Sequence, residues 1–545
     1  MSRTAAPVTF DVYDTTLRDG AQQEGINLSV ADKLAIAVLL DELGVGYIEG
    51  GWPGAVPKDT DFFARAAKEL TLKNAVLAAF GSTRRAGLRA GDDPQVRALL
   101  DAGAPVVTLV AKSDVRHVER ALKTTREENL AMISDTVAYL AAEGRRVVLD
   151  AEHFFDGYRH DPAYALSAVD AAFSAGAEVV TLCDTNGGML PGWVGEIVAE
   201  VRSAVGHDLL ARGDVRLGMH AHNDSGCAVA NSLAAVDAGA THVQGCVNGY
   251  GERTGNADLI AVVANLELKC GMELLTGAGL TEATRIAHAI SEITNISPFA
   301  RQPYVGSSAF AHKGGLHASA IRVDPDMYQH TDPKAVGNDM RMLVSDMAGR
   351  ASIELKGREL GFDLAGQAEL LTRVTGRVKA AEADGYTYEA ADASFDLMLR
   401  EEMDQRPGYF TVESWRTIVE TGPGQADRHD AAASAEATVK LHAGGERIVS
   451  TGEGNGPVNA LDQALRGALR RVYPEVDRIE LIDFKVRILD SEQGTDATTR
   501  VLIEHTDGQR SWSTVGVGPN VIEAAWEALV DGHVYGLLKA GAAPR

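Results

Sequence analysis

In the stretch Met219–Asp224 (MHAHND) two histidines stand two residues apart. On extended backbone alternate side chains leave the same face, so His220 and His222 offer two imidazoles to one ion. The pair is a weak signal alone: with 15 histidines in the chain, chance supplies roughly 0.4 such pairs, and two partly buried polar side chains are the competing reading. Asp19, in TTLRDGAQQEG, and Asn256, in GYGERTGN, add a carboxylate and an amide oxygen. That mixed N/O set suits Mg²⁺, Mn²⁺, Co²⁺ or Zn²⁺ and leaves positions open for substrate or water, as catalytic centres do. Arg18 precedes Asp19. A buried arginine there either grips a carboxylate with its two-pronged guanidinium or forms a salt bridge to Glu49. A divalent ion beside an arginine is a clamp for a 2-oxo acid, with Arg18 and Thr185 holding the carboxylate. Glu152 is read either as an acid–base group or as a hydrogen-bonding support. The glycines of GYGERTGN fit either a backbone that approaches a ligand or a tight turn.

These residues converge only if the elements that carry them do. Eight β-rich runs begin at Val8, Val45, Ala75, Val106, Arg146, Glu178, Val215 and His242. Amphipathic helical segments separate them, several ending in glycine (Gly44, Gly103, Gly176, Gly239), a usual C-terminal stop. Eight strand–helix units in this length predict an α/β fold, a (β/α)₈ TIM barrel over residues 7–276. Asp19 then follows the first strand, the histidines end the seventh, and Asn256 follows the eighth. In a closed barrel these three strands are neighbours, and their C-terminal ends form the face where such barrels build active sites. Glu49, Glu152 and Asp184 with Thr185 end other strands on that rim, and Glu49 is a candidate substrate contact there. A mostly helical linker is expected over 277–404 and a small α+β domain over 405–542, with a polar stretch between Gly422 and Ala437 inside it.

The 545 residues carry a formal net charge of −24, spread along the chain. Such a field repels phosphate backbones, so no nucleic-acid partner is expected, and an anionic substrate must be met by a local positive group. The first residues lack the apolar core of a signal peptide, and no apolar run is long enough to span a membrane; a cytoplasmic protein is expected. The four cysteines show no C-x-x-C spacing and are read as free thiols.

Taken together, DTTLRDGAQQEG, MHAHND and GYGERTGN resemble the DRE-TIM metallolyase superfamily and, within it, the Claisen-condensing isopropylmalate, homocitrate and citramalate synthases. DAEHFFDGY (Asp150–Tyr158), AFAHKGGLHASAI and the C-terminal region are similar to the long-form (R)-citramalate synthases, and 405–542, including GEGNGPVNAL, resembles the regulatory domain of isopropylmalate synthases. The resemblance implies condensation of acetyl-CoA with pyruvate to (R)-citramalate and CoA, an entry to isoleucine. It assigns the oxo acid to Arg18 and Thr185, and the metal to Asp19, His220, His222 and Asn256. His317 matches a catalytic histidine, with Tyr328 eleven residues on as its companion. Ala318 and Ser319 depart from the family motif around that histidine, and His312 is the rival. Asp150 falls near the tail of the oxo acid. His317 lies outside the barrel, so a homodimer with shared sites is expected, with isoleucine or leucine as effector of the last domain. The alternatives are a synthase for a larger 2-oxo acid, a metal-dependent hydroxyacyl-CoA lyase or aldolase, and a non-catalytic amino-acid sensor.

Overall fold

The structure, a computed structural model, describes residues 10–205, 215–276, 279–420, 434–489 and 497–545. Eight parallel strands close into a barrel in chain order: β1 (Asp11–Asp14), β2 (Tyr47–Gly51), β3 (Val76–Ser82), β4 (Val106–Lys112), β5 (Arg146–Glu152), β6 (Val179–Asp184), β7 (Arg216–Ala221) and β8 (His242–Gly245). Strand β1 closes the ring by pairing with both β2 and β8, Asp14 opposite Gly245. Outer helices fill the connections. The helix Val30–Leu43 starts on a reciprocal cap between Ser29 and Asp32. Gly44, Gly103, Gly176 and Gly239 all take positive φ at the predicted helix stops.

Inward positions alternate along every strand, so the barrel interior is built in layers. Tyr13, Tyr47, Ala78, Val106, Val148 and Val179 pack as an apolar layer. Two residues further along, Glu49, Thr108, Asp150, Thr181, His220 and Gln244 form a buried polar layer. The eighth run departs from its sequence reading. Strand β8 stops at Gly245, because Val247–Gly249 is a 3-10 turn with Asn248 at φ 62°. The chain thereby leaves the barrel early and returns beside the end of β7, where the Ala257 N–H donates to the Ala221 carbonyl (2.9 Å).

The chain packs as two units, Met1–Phe310 with Thr331–Asp339, and Ala311–His330 with Met340–Arg545. The helical stretch read as one linker therefore divides. Its helix Ala283–Thr294 packs on Val30–Leu43, with Ile286 and Ile290 in the barrel's outer core. The helices Arg350–Glu359, Ala368–Ala383 and Asp392–Glu402 share a core in the second unit through Ile353, Val374, Phe395 and Val515. That unit also holds two three-stranded antiparallel sheets. One runs Phe410–Glu420, Ser434–Ala443, Glu446–Gly454 and packs on the helix Pro457–Leu469; the other runs Glu480–Ile488, Thr499–Thr506, Ser511–Gly518 and packs on Val521–Lys539. The strand Glu446–Gly454 has no counterpart in the sequence reading, since two apolar branched residues among glycines and charges make a poor strand signal. Of the polar stretch, residues 422–433 lie outside the described residues. Among the described residues no helix is long and apolar enough to cross a membrane.

Candidate active site

The end of β7 carries His220, and His222 follows just beyond it. Asp19 sits in the turn after β1, where the Thr15 carbonyl accepts from the N–H groups of Arg18, Asp19 and Gly20. The three side chains meet: Asp19 Oδ2 is 3.3 Å from His220 Nε2 and 3.9 Å from His222 Nε2, and the two Nε2 atoms are 3.3 Å apart. All three are buried. Two nitrogens each about 2.1 Å from one tetrahedral ion lie about 3.4 Å apart, so the spacing fits a shared divalent metal.

The surroundings orient the same donors. Gln244 Nε2 donates to Asp150 Oδ1 (2.9 Å) and Thr181 Oγ1 (3.2 Å), leaving its carbonyl oxygen 2.9 Å from His220 Nδ1. His220 then carries its proton on Nδ1 and turns the Nε2 lone pair to the cluster, a support typical of metal-ligating histidines. Burial, then His220, push the His222 pKa down to about 4, so that ring is neutral near pH 7. Burial raises the Asp19 carboxyl, but the neighbouring positive charge, Arg18 foremost, outweighs it and holds the group well below the usual carboxylate range.

Asn256 forms an isolated antiparallel bridge with His222. Its amide nitrogen donates to the Tyr250 carbonyl (2.9 Å), and its buried Oδ1 has no hydrogen-bond partner among the described residues. That orphaned oxygen suits a fourth ligand. Gly251 permits the arrangement: its φ is 148°, and a Cβ there would stand 2.2 Å from Asn256 Nδ2.

Arg18 forms the salt bridge to Glu49 at the edge of the cluster. Its Nε donates to Glu49 Oε1 (2.6 Å), its Nη1 lies 3.2 Å from Asp19 Oδ2, and its guanidinium carbon sits 3.8 Å from the Phe80 ring centroid. The second Glu49 oxygen accepts from the Tyr13 hydroxyl (2.7 Å), which also meets Thr108 Oγ1 (2.6 Å). A cavity of about 600 Å³ opens over these groups, and Arg18, Asp19, Asp150, Glu152, Thr185, His220 and His222 line it. Glu49 and Asn256 are not in that lining. Glu49 has no exposed surface and both oxygens engaged, so it anchors Arg18 instead of touching a ligand in the cavity. Burial raises the carboxyls of both Glu49 and Asp150, against the lowering effects of Arg18 and, for Asp150, of His220. Glu152 pairs with Lys112, and Thr185 Oγ1 accepts from the His153 N–H (2.9 Å), which leaves the hydroxyl proton to donate.

In the second unit, His317 lies on the short helix Gly315–Ile321 and is exposed. Its ring stacks on Tyr328, centroids 4.1 Å apart and planes 27° apart. His312 is buried, its ring 5.9 Å from that of His317, and burial lowers its pKa. Sequence reasoning passed over Gln244, Tyr13, Lys112 and Phe80. For Gln244 a signal existed: it is a polar residue at an inward position of β8, two beyond His242. Phe80 carried none.

Residues 9–290 match the family model described as HMGL-like, 304–385 the homocitrate synthase post-HMGL domain-like model, and 389–537 the LeuA allosteric (dimerisation) domain. The chain is 64% identical to an (R)-citramalate synthase of Streptomyces coelicolor, over 98% of each chain. It is 49% identical to an (R)-citramalate synthase of Synechocystis sp. over 96% of each. To a 2-isopropylmalate synthase of Synechococcus sp. it is 31% identical, over 95% of this chain and 94% of the other. A closed parallel barrel, a convergent Asp–His–His cluster at its C-terminal rim, and identity at this level along the whole length place the chain in the HMGL-like family, among the (R)-citramalate synthases.

Proposed function

We propose that the protein condenses acetyl-CoA with pyruvate and hydrolyses the resulting thioester, releasing (R)-citramalate and CoA. One observation carries the reading: Arg18, braced by Glu49 and Phe80, stands beside the Asp19–His220–His222 cluster at one cavity. The names of the relatives that are 64% and 49% identical along the whole length support pyruvate over a larger oxo acid, against 31% for the isopropylmalate synthase.

In this reading Asp19, His220, His222 and Asn256 hold a divalent ion, whose contribution is Lewis-acid polarisation of a ketone, worth several kcal/mol in such enzymes. Mg²⁺, Mn²⁺, Co²⁺ and Zn²⁺ all suit the donor set. The protein's own groups do the rest. Arg18 and Thr185 bind the pyruvate carboxylate, and Asp150 stands near the methyl end. His317, with Tyr328 stacked on it, takes a proton from the acetyl methyl group, and Glu152 assists in holding that proton. The methyl carbon then bonds to the ketone carbon, the π pair of the ketone moving to its oxygen, which takes up the proton removed from the methyl group; water adds its OH to the acyl carbon as the C–S bond breaks, and CoA departs with the remaining water proton on its thiol. The pathway is isoleucine formation. Residues 405–542 take isoleucine or leucine as effector, and the chain works as a cytoplasmic homodimer.

The test is release of free CoA from acetyl-CoA with a panel of 2-oxo acids, with and without chelator. Pyruvate is expected to be preferred and chelator to abolish turnover. Preference for 2-oxoisovalerate, or full activity in chelator, overturns the reading.

A further inference from the structure

A second convergence of imidazole and carboxylate lies in the C-terminal half. Asp462 comes from the helix Pro457–Leu469, His505 from the strand Thr499–Thr506, and His533 from the helix Val521–Lys539. Their exposures are 4%, 0% and 0%, and one ligand atom from each lies within 4.8 Å of the others.

The hydrogen-bond count around them does not close. His533 Nδ1 donates to the Leu529 carbonyl one turn earlier (3.0 Å), so its Nε2 keeps a lone pair. That lone pair faces Asp462 Oδ1 at 3.4 Å, one acceptor against another. Neither atom has a hydrogen-bond partner among the described residues, nor has either ring nitrogen of His505. Buried polar atoms left in this state are costly, and several together in one place call for a ligand. Arg466 approaches the other carboxylate oxygen, its Nη1 3.8 Å from Asp462 Oδ2, and so leaves Oδ1 unmatched.

The packing is shaped to bring the imidazoles in. A Cβ at position 532 would lie 2.2 Å from His505 Cε1, so the glycine there lets that ring rest directly on the helix. Two donors about 2.05 Å from one tetrahedral ion stand about 3.3 Å apart, which is the His533–Asp462 spacing within a tenth of an ångström. Asp462 and Arg466 also line a cavity of about 710 Å³ beside the cluster.

We propose that Asp462, His505 and His533 bind a divalent transition-metal ion, zinc in the first instance, as a structural centre joining two helices and a strand of the C-terminal domain. Water completes the coordination. Nothing in this proposal depends on the barrel reading.

The test uses the full-length His220→Ala/His222→Ala variant, in which the barrel histidines are gone. The protein is stripped with chelator, equilibrated with Zn²⁺ and desalted, and its zinc is counted per chain while circular dichroism verifies folding. One ion per chain is expected, and adding His505→Gln should cut that to under a tenth. A folded barrel variant that binds no zinc overturns the proposal, and so does a folded triple variant with undiminished zinc. Should His505→Gln fail to fold, zinc-edge X-ray absorption on the barrel variant decides: imidazole and oxygen scatterers are expected, and a shell without imidazole overturns the site. Equal metal content in the barrel variant and the wild type would sink the barrel ligands alone, and the His505→Gln comparison would still judge this centre.

Discussion

Glu49→Gln tests the view that a buried carboxylate sets the oxo-acid arginine. The substitution keeps shape and removes charge at a residue with no exposed surface. A glutamine oxygen still accepts from Arg18 Nε, now 2.6 Å away, but as a neutral partner. Hydrogen bonds with a charged partner contribute about 1.5–3 kcal/mol and neutral ones about 1, so the change costs Arg18 about 0.5–2 kcal/mol of positioning. A group that binds the carboxylate equally in ground and transition states acts through KM. The expected result in a CoA-release assay is a pyruvate kcat/KM lowered about 2- to 30-fold, mostly in KM, with the KM for acetyl-CoA unmoved. The pH profile supplies a second readout. Burial raises the Glu49 pKa, so the carboxyl becomes neutral as pH falls through that raised value, and wild-type protein at acid pH should approach the variant. Pyruvate KM should therefore climb toward acid in the wild type and stay flat in Glu49→Gln. A folded variant with pyruvate kcat/KM within about twofold of wild type, or a loss confined to acetyl-CoA, would refute the reasoning.

Other perturbations separate the parts of the site. His220→Ala should lose the barrel-bound ion by elemental analysis, with activity restored only at much higher added metal if at all; unchanged affinity removes His220 from the ligand set. Gly251→Ala places a Cβ 2.2 Å from Asn256 Nδ2 at φ 148°, and the expected outcome is metal affinity weakened at least tenfold, about 1.4 kcal/mol, measured by titration against a competing chelator. His317→Ala should lower turnover far more than pyruvate affinity, and mixing it with His220→Ala should restore part of the activity if sites are shared between subunits; no recovery argues against sharing. Asp14 is a stability probe: burial raises its carboxyl from 3.8 to about 7. Between those values the unfolded chain ionises while the folded one stays protonated, so this group's cost to folding grows as pH rises through that window and is complete above it. Asp14→Asn should therefore gain on wild type in denaturant melts from pH 4 to pH 7, and a pH-independent difference contradicts the assignment.

What the sequence disclosed depended on the range of each signal. The His220–His222 pair is a period-two feature of one strand, and it was legible as such. Asp19 and Asn256 became legible only through strand order, because closing an eight-stranded barrel makes the first, seventh and eighth strands neighbours. Contacts set by register across the barrel stayed hidden. Tyr13 reaches Thr108 over 95 residues of chain, and Gln244 reaches Asp150 over 94; no local pattern encodes which side chain stands opposite which. The Glu446–Gly454 strand was missed because pairing with Ser434–Ala443 along its length, not its own residue preferences, makes it a strand. The helical linker divided for a similar reason, since the partner of each apolar face is a tertiary fact.

One local signal nevertheless marks both centres. In a strand with one face buried, a polar residue on the inward register is expensive unless something answers it. His220, Asp150 and Gln244 occupy such positions in the barrel, and the answer is the network around the Asp19 cluster. Along Thr499–Thr506 the burial alternates strictly, with Val501, Ile503 and His505 on the inward face. By hydrophobic pattern alone position 505 calls for an aliphatic side chain. An imidazole there, with neither nitrogen matched among the described residues, departs from that pattern as His220 does in the seventh barrel strand. A buried imidazole that no protein group answers calls for a ligand, and at His505 both ring nitrogens are in that state.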